Sequence, residues 1–134
     1  MIVSRKKPKY KSAGEKLLAV DLTERLSTKE IESFGYETEP MKYTQPAKER
    51  TYNPDFIIIR SNGTKLYVEV KGLFDYIERE KFLNILNSNP EKDIRILFSR
   101  DNKITKNSKT RYSDWCRAKG IKYAVKTLPE EWLS

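Results

Sequence analysis

Histidine does not occur in the 134 residues. Its absence removes the imidazole general base, the imidazole metal ligand and the Ser–His and Cys–His nucleophile pairs. A single cysteine, Cys116, excludes an intrachain disulfide and any cysteine-cluster metal site. No apolar run approaches the ~18 residues of a membrane-spanning helix. The basic N-terminus is not followed by the apolar segment of a signal peptide, so a cytoplasmic protein is expected. Repeats and low-complexity stretches are also missing. Any catalysis in this chain must therefore run on carboxylates, lysine and a hard, oxygen-liganded cation such as magnesium.

Positive charge is abundant. The chain carries 27 Lys and Arg against 19 Asp and Glu, a net charge of +8, and such an excess on one small domain favours a polyanionic partner. A non-catalytic basic DNA-binding module and an RNA-binding protein fit that charge as well. Five cations, Arg5, Lys6, Lys7, Lys9 and Lys11, fall within residues 1–11, where little beyond Ile2 and Val3 is apolar. A mobile basic arm able to lie along a phosphate backbone is expected there, followed by a single domain over 12–134. Lys103, Lys106 and Lys109, in a polar stretch from Arg100 to Thr110, form a second candidate phosphate-contacting surface.

The most informative stretch is NPDFIIIRSNGTKLYVEVKG, residues 53–72. Asn62-Gly63 between apolar runs signals a β-hairpin. A two-residue loop would put Asp55 and Glu69 on opposite faces. A three-residue loop, Ser61-Asn62-Gly63 with Gly63 left-handed, pairs them directly. That register places Phe56, Ile58, Leu66, Val68 and Val70 on one face and Asp55, Tyr67, Glu69 and Lys71 on the other. The expectation is an apolar core face and a charged site face.

Elsewhere, Ser12 stands three residues before Glu15, the spacing of a capping box, and Leu18, Leu22 and Leu26 continue a helical stripe that Glu15 begins. Ile31–Glu39 reads as a strand. Pro40, Pro46 and Pro54 punctuate an edge or connector from Met41 to Thr51. Asp75–Leu86 predicts a helix and Asp93–Ser99 a strand joining by a crossover. Ser113 is expected to cap a short helix ended by Gly120, before a last strand over Ile121–Val125. Trp115 and Trp132 read as core. The fold class is mixed α/β.

Two carboxylates on adjacent strands repel unless something positive lies between them. A divalent cation fills that role and also serves phosphodiester hydrolysis, and Lys71, two residues after Glu69, faces the same way. Glu15 offers a further carboxylate if its helix packs on the hairpin. A bare Glu-x-Lys is a weak signal in a chain this charged, and a surface salt-bridge cluster is the bland alternative. Pro-Asp at the start of one strand with Glu-x-Lys at the end of the next is stronger.

That pattern resembles the PD-(D/E)xK nuclease superfamily, and within it the endonuclease I family of the T-odd coliphages. The residues carrying the likeness include Tyr43, Pro46-Ala47, TYNPDF (51–56), VEVKGL (68–73), DIRILFS (93–99), GIKYA (120–124) and LPEEWL (128–133). It implies a restriction-endonuclease-like mixed sheet flanked by helices, and a homodimer exchanging its N-terminal element through a bridge near residues 40–51. It also implies a Holliday-junction-resolving endonuclease that makes paired nicks in branched double-stranded DNA, in the host cytoplasm if phage-encoded. Asp55, Glu69 and the Val70 carbonyl would bind metal, Lys71 would be the catalytic lysine, and Glu15 would add a carboxylate. The cofactor would be Mg2+, with Mn2+ able to substitute, at two ions per site. An ungapped alignment on Gly35 nominates Glu24 instead of Glu15. A sequence-specific or repair nuclease of the same superfamily is the alternative activity.

Overall fold

A computed structural model describes residues 10–45 and 48–134. Arg5, Lys6, Lys7 and Lys9 of the expected arm lie outside the described residues, as do Pro46 and Ala47 of the expected bridge. The described chain begins inside the arm. Tyr10 stacks on Phe56 with centroids 5.9 Å apart, and Lys11 is committed to the folded body by its backbone N–H and its ammonium.

Helix α1 (Ala13–Ser27) precedes strands β1 (Ile31–Tyr36), β2 (Met41–Gln45), β3 (Lys48–Tyr52), β4 (Phe56–Arg60) and β5 (Lys65–Lys71). Then come α2 (Tyr76–Ser88), β6 (Ile94–Phe98), α3 (Tyr112–Lys119), β7 (Tyr123–Val125) and a 3-10 turn over Glu130–Leu133. The main sheet has the order β1-β4-β5-β6-β7. Its first three strands are antiparallel, and β5-β6 and β6-β7 are parallel. A parallel neighbour requires a crossover, and α2 and α3 supply the two. The fold is thus a mixed sheet flanked by helices.

The β4–β5 register is the three-residue-loop one: Phe56 faces Val68 and Ile59 faces Lys65. Gly63 sits at φ +89°, in the left-handed region that glycine enters without cost. Its N–H donates to the Arg60 carbonyl at 2.8 Å. One further step in this register sets Asp55 opposite Glu69.

Both sheet faces are buried. On one, Leu18, Ala19 and Leu22 of α1 pack on Phe56, Ile58, Leu66, Val68 and Val70, with Trp132 and Leu133 closing the end. On the other, Phe82 and Ile85 of α2 and Tyr112 and Cys116 of α3 cover Ile57, Tyr67, Ile94, Ile96 and Phe98. The expected charged site face is therefore corrected. It is core over most of its length, and charge is confined to the strand ends, because α2 and α3 claim the middle. The unbroken Phe56-Ile57-Ile58-Ile59 run is the mark of such two-sided burial.

Three local readings also differ. Met41–Thr51, expected as an edge or connector, is neither an edge of the main sheet nor a bare connector: β2 and β3 form a separate antiparallel pair, whose Met41, Tyr43 and Tyr52 join the second core. Leu26 leaves the α1 stripe and is 40% exposed. Ser113 is not the cap of α3. Arg111 holds that position, its N–H accepted by Asp114 at 2.9 Å, while Ser113 donates its hydroxyl to Asp101.

Candidate active site

Asp55 stands where the hairpin ladder stops. Pro54 before it has no N–H to extend the ladder and is fully buried. Past Val68 the backbone of β5 is therefore free to meet a side chain. The Val70 N–H donates to Asp55 Oδ2 at 2.9 Å, and in an extended strand the Val70 carbonyl points to that same edge. On the other flank the Glu37 N–H donates to the Asp55 carbonyl at 2.9 Å. Asp55 is 8% exposed. Burial, then the negative charge of Glu69, pushes its carboxyl well above the ordinary carboxylate range.

Glu69 occupies the end of β5. Its Oε1 accepts the Tyr52 hydroxyl at 2.8 Å, and its Oε2 faces the Lys71 ammonium at 3.4 Å. Burial raises its pKa against the opposing pull of Lys71 and Tyr52. The same Lys71 Nζ lies 3.0 Å from Glu78 Oε2. Burial disfavours the ammonium, but Glu69 and Glu78 outweigh it and keep Lys71 charged.

Glu15 arrives from the first turn of α1. Ser12 caps the helix, accepting the Glu15 N–H at 3.0 Å. The Glu15 carboxylate accepts the Tyr36 hydroxyl at 2.8 Å and the Lys11 N–H at 2.7 Å. It is 5% exposed, and its charge is near enough to add to the upward shift of the Asp55 pKa. Gly14 permits this approach: a Cβ there would stand 2.6 Å from Ser99 Oγ and 3.0 Å from Val70 Cγ1. Glu24, the alternative carboxylate, is exposed on α1.

The structure thus brings Asp55, Glu69, Val70, Lys71 and Glu15 to one end of the β4–β5 hairpin. Among the described residues, no three Asp, Glu, Cys or His side chains are gathered closely enough to hold a metal ion by themselves. The available donors are Asp55, Glu69 and the Val70 carbonyl. All are oxygen and two are carboxylates that repel when the space between them holds no cation. That donor chemistry fits a hard divalent ion completing its shell with water and phosphate oxygens. Lys103, Lys106 and Lys109 are exposed on the loop before α3. Lys11 is less free: its ammonium pairs with Glu37 at 2.9 Å.

Tyr52, Tyr36 and Glu78 were not read from the sequence as site residues. Tyr52 ends β3 two positions before Pro54, and Glu78 sits in the first turn of α2. Only the packing of β3 and α2 on the sheet carries them to the carboxylates.

A sequence model of the phage endonuclease I family matches residues 3–134. Endonuclease I of Escherichia phage T7 is 42% identical over 113 residues, covering 84% of this chain and 72% of that protein. Endodeoxyribonuclease 1 of Enterobacteria phage T3 is 38% identical over 109 residues, covering 81% of this chain and 68% of its own length. With the match spanning nearly the whole sequence, the chain belongs to the phage endonuclease I family.

Proposed function

We propose that this protein is a structure-selective DNA endonuclease of the PD-(D/E)xK type, hydrolysing phosphodiesters at four-way junctions with Mg2+, or Mn2+ in its place. The observation that carries the proposal is the buried Asp55 beside Glu69, whose side chain is 12% exposed, with the Lys71 ammonium 3.4 Å from Glu69. Family membership and the endonuclease names of the T7 and T3 relatives support DNA as the substrate. The net charge of +8 suits a polyanion.

Asp55, Glu69 and the Val70 carbonyl would hold one cation, and Glu15, beside Asp55, would serve a second. Bound there, a divalent ion lowers the pKa of water and neutralises charge on the phosphate. The chain's own groups do the rest. Tyr52 fixes the rotamer of Glu69 through its O–H. Lys71 presents a fixed positive charge to the phosphate oxygens, where negative charge grows as the water oxygen attacks and the P–O bond breaks. Val70 holds Asp55 by its N–H. Exposed Lys103, Lys106 and Lys109 would meet flanking phosphates.

We assign a homodimer with one site per subunit, so that two nicks resolve one junction; a bridge near residues 40–51 would require the β2–β3 pair to open and its strands to pair between subunits. A synthetic four-way junction in Mg2+ should yield paired nicks. Lys71→Ala should abolish them while junction binding persists. Cutting of a linear duplex as readily as the junction would replace this reading with a sequence-specific or repair nuclease. An intact junction in every divalent metal would overturn it.

A further inference from the structure

The notch beside the catalytic carboxylates is lined by Tyr52, Glu69, Lys71, Glu78 and Lys81. Lys71 is bracketed there by two carboxylates from different elements, and the nearer one is not its strand neighbour. Glu78 Oε2 lies 3.0 Å from the ammonium and Glu69 Oε2 lies 3.4 Å away. We propose that Glu78 is a positioning residue for Lys71, holding its ammonium at the scissile phosphate when Glu69 is engaged elsewhere. This rests on the nuclease reading above.

The argument starts from the demands on Glu69. Its Oε1 is occupied by the Tyr52 hydroxyl and its Oε2 by Lys71. A carboxylate that also binds a divalent cation shares its charge with that ion and attracts an ammonium less. Lys71 has four rotatable side-chain bonds and a strongly hydrated head, so one weakened contact would release it toward solvent. Glu78 is an anchor independent of the cation. It sits in the first turn of α2, where Asp75 accepts its N–H at 2.9 Å. The helix is seated by Phe82 and Ile85, both 2% exposed or less. Arg79 ties the same turn to the Phe74 carbonyl at 2.7 Å. The Lys71 side chain is 16% exposed, so its head is not simply trading a solvated state for a surface pair. An ordinary half-exposed salt bridge would instead contribute almost nothing measurable, and that is the competing account.

Glu78→Gln keeps the shape and removes the charge, and Glu78→Asp keeps the charge on a shorter stem. Wild type, Lys71→Ala and both Glu78 variants should be compared on a four-way junction in Mg2+ under single-turnover conditions. Junction affinity in EDTA and melting temperature are measured in parallel. Glu78→Gln should cut about tenfold to hundredfold more slowly, the scale of loss when a catalytic group is misplaced. Its junction affinity in EDTA and its melting temperature should stay at wild-type values, and Glu78→Asp should recover part of the rate. A Glu78→Gln rate equal to wild type overturns the positioning role while leaving the nuclease reading intact. A rate loss matched by lost affinity or a lower melting temperature makes Glu78 merely structural and overturns the proposal too. Undiminished cutting by Lys71→Ala removes the group Glu78 would position. An inert wild type overturns both readings together.

Discussion

Replacing Asp55 by asparagine should make the metal-free protein more stable while ending its activity. The Asp55 side chain is 8% exposed, and burial followed by the charge of Glu69 raises its pKa. Folding thus opposes ionisation of this carboxyl, because water cannot solvate the charge and a like charge stands against it. Asparagine has the same shape. Its Oδ1 can still accept the Val70 N–H that Asp55 Oδ2 now takes at 2.9 Å, and its amide can donate to Glu69 or Glu15. Weakening the Val70 bond from charge-assisted to neutral costs about 1 kcal/mol. An amide has no proton to take up, so it escapes the penalty that folding places on a carboxyl of raised pKa, and this returns about 2–3 kcal/mol. The net expectation is a gain of roughly 1–2 kcal/mol at neutral pH, several degrees in Tm.

The pH dependence has a definite sign. Folding raises the Asp55 pKa above its ordinary 3.8, so the native state binds more protons than the unfolded chain above that pH. Wild-type stability therefore falls as pH rises from about 4 to about 8, and the advantage of the variant should vanish near pH 3 and be full only above about pH 8. Urea unfolding in EDTA at several pH values measures it. Added Mg2+ should then stabilise the wild type by about 1.4 kcal/mol at ten times Kd, seen as a higher Tm, and leave the variant unmoved. A variant less stable than wild type in EDTA at pH 7.5 would refute the strain argument. An equal response of both proteins to Mg2+ would refute Asp55 as a ligand.

Other perturbations reach separate parts of the framework. Gly14→Ala should destabilise by about 1–2 kcal/mol in thermal unfolding, since overpacking against Ser99 and Val70 exceeds the helix-propensity gain. Tyr52→Phe removes the hydroxyl that holds Glu69 at 2.8 Å, and should cost about 1–3 kcal/mol in urea unfolding without metal. Asp93, whose pKa is lowered chiefly by Arg95 and Arg60 against the opposing effect of burial, stabilises the fold above the ordinary carboxylate range and loses that contribution as pH falls through its own lowered pKa. Asp93→Asn should flatten this acid limb of the stability curve, measured by denaturant midpoints between pH 2 and 6. Leu22→Ala, at a fully buried α1 position, should cost about 2–5 kcal/mol by the same midpoints at neutral pH.

What could be read in advance divides along sequence separation. The turn residues Asn62-Gly63 and the need for two carboxylates to face one another select a register that the β4–β5 ladder adopts. Glu15 was placed by its cap and its stripe, both local, and it lies beside Asp55 where Glu24 does not. Tyr52 and Glu78 carry no such local mark. One reaches Glu69 across 17 positions and the other reaches Lys71 across seven, and each does so only because its element packs on the sheet. The second core was missed for a related reason. The alternating reading of the hairpin assigns Ile57 and Ile59 to neither face, whereas an unbroken apolar run means that both faces are covered.

That correction bears on the chemistry. A strand pair exposed on one face would let Asp55 and Glu69 relax into water, and their repulsion would be screened away. Here α1 closes one side of the hairpin, and α2 with the β2–β3 pair closes the other. The carboxylates stand at the one end where the ladder is broken by Pro54, too buried to be solvated and too close to be indifferent to each other. Free energy stored in this way is released by whatever positive charge enters between them. On the proposed reading, the two-sided core is therefore what would give an acidic pair, in a chain with no histidine and a large positive charge, an affinity for a cation.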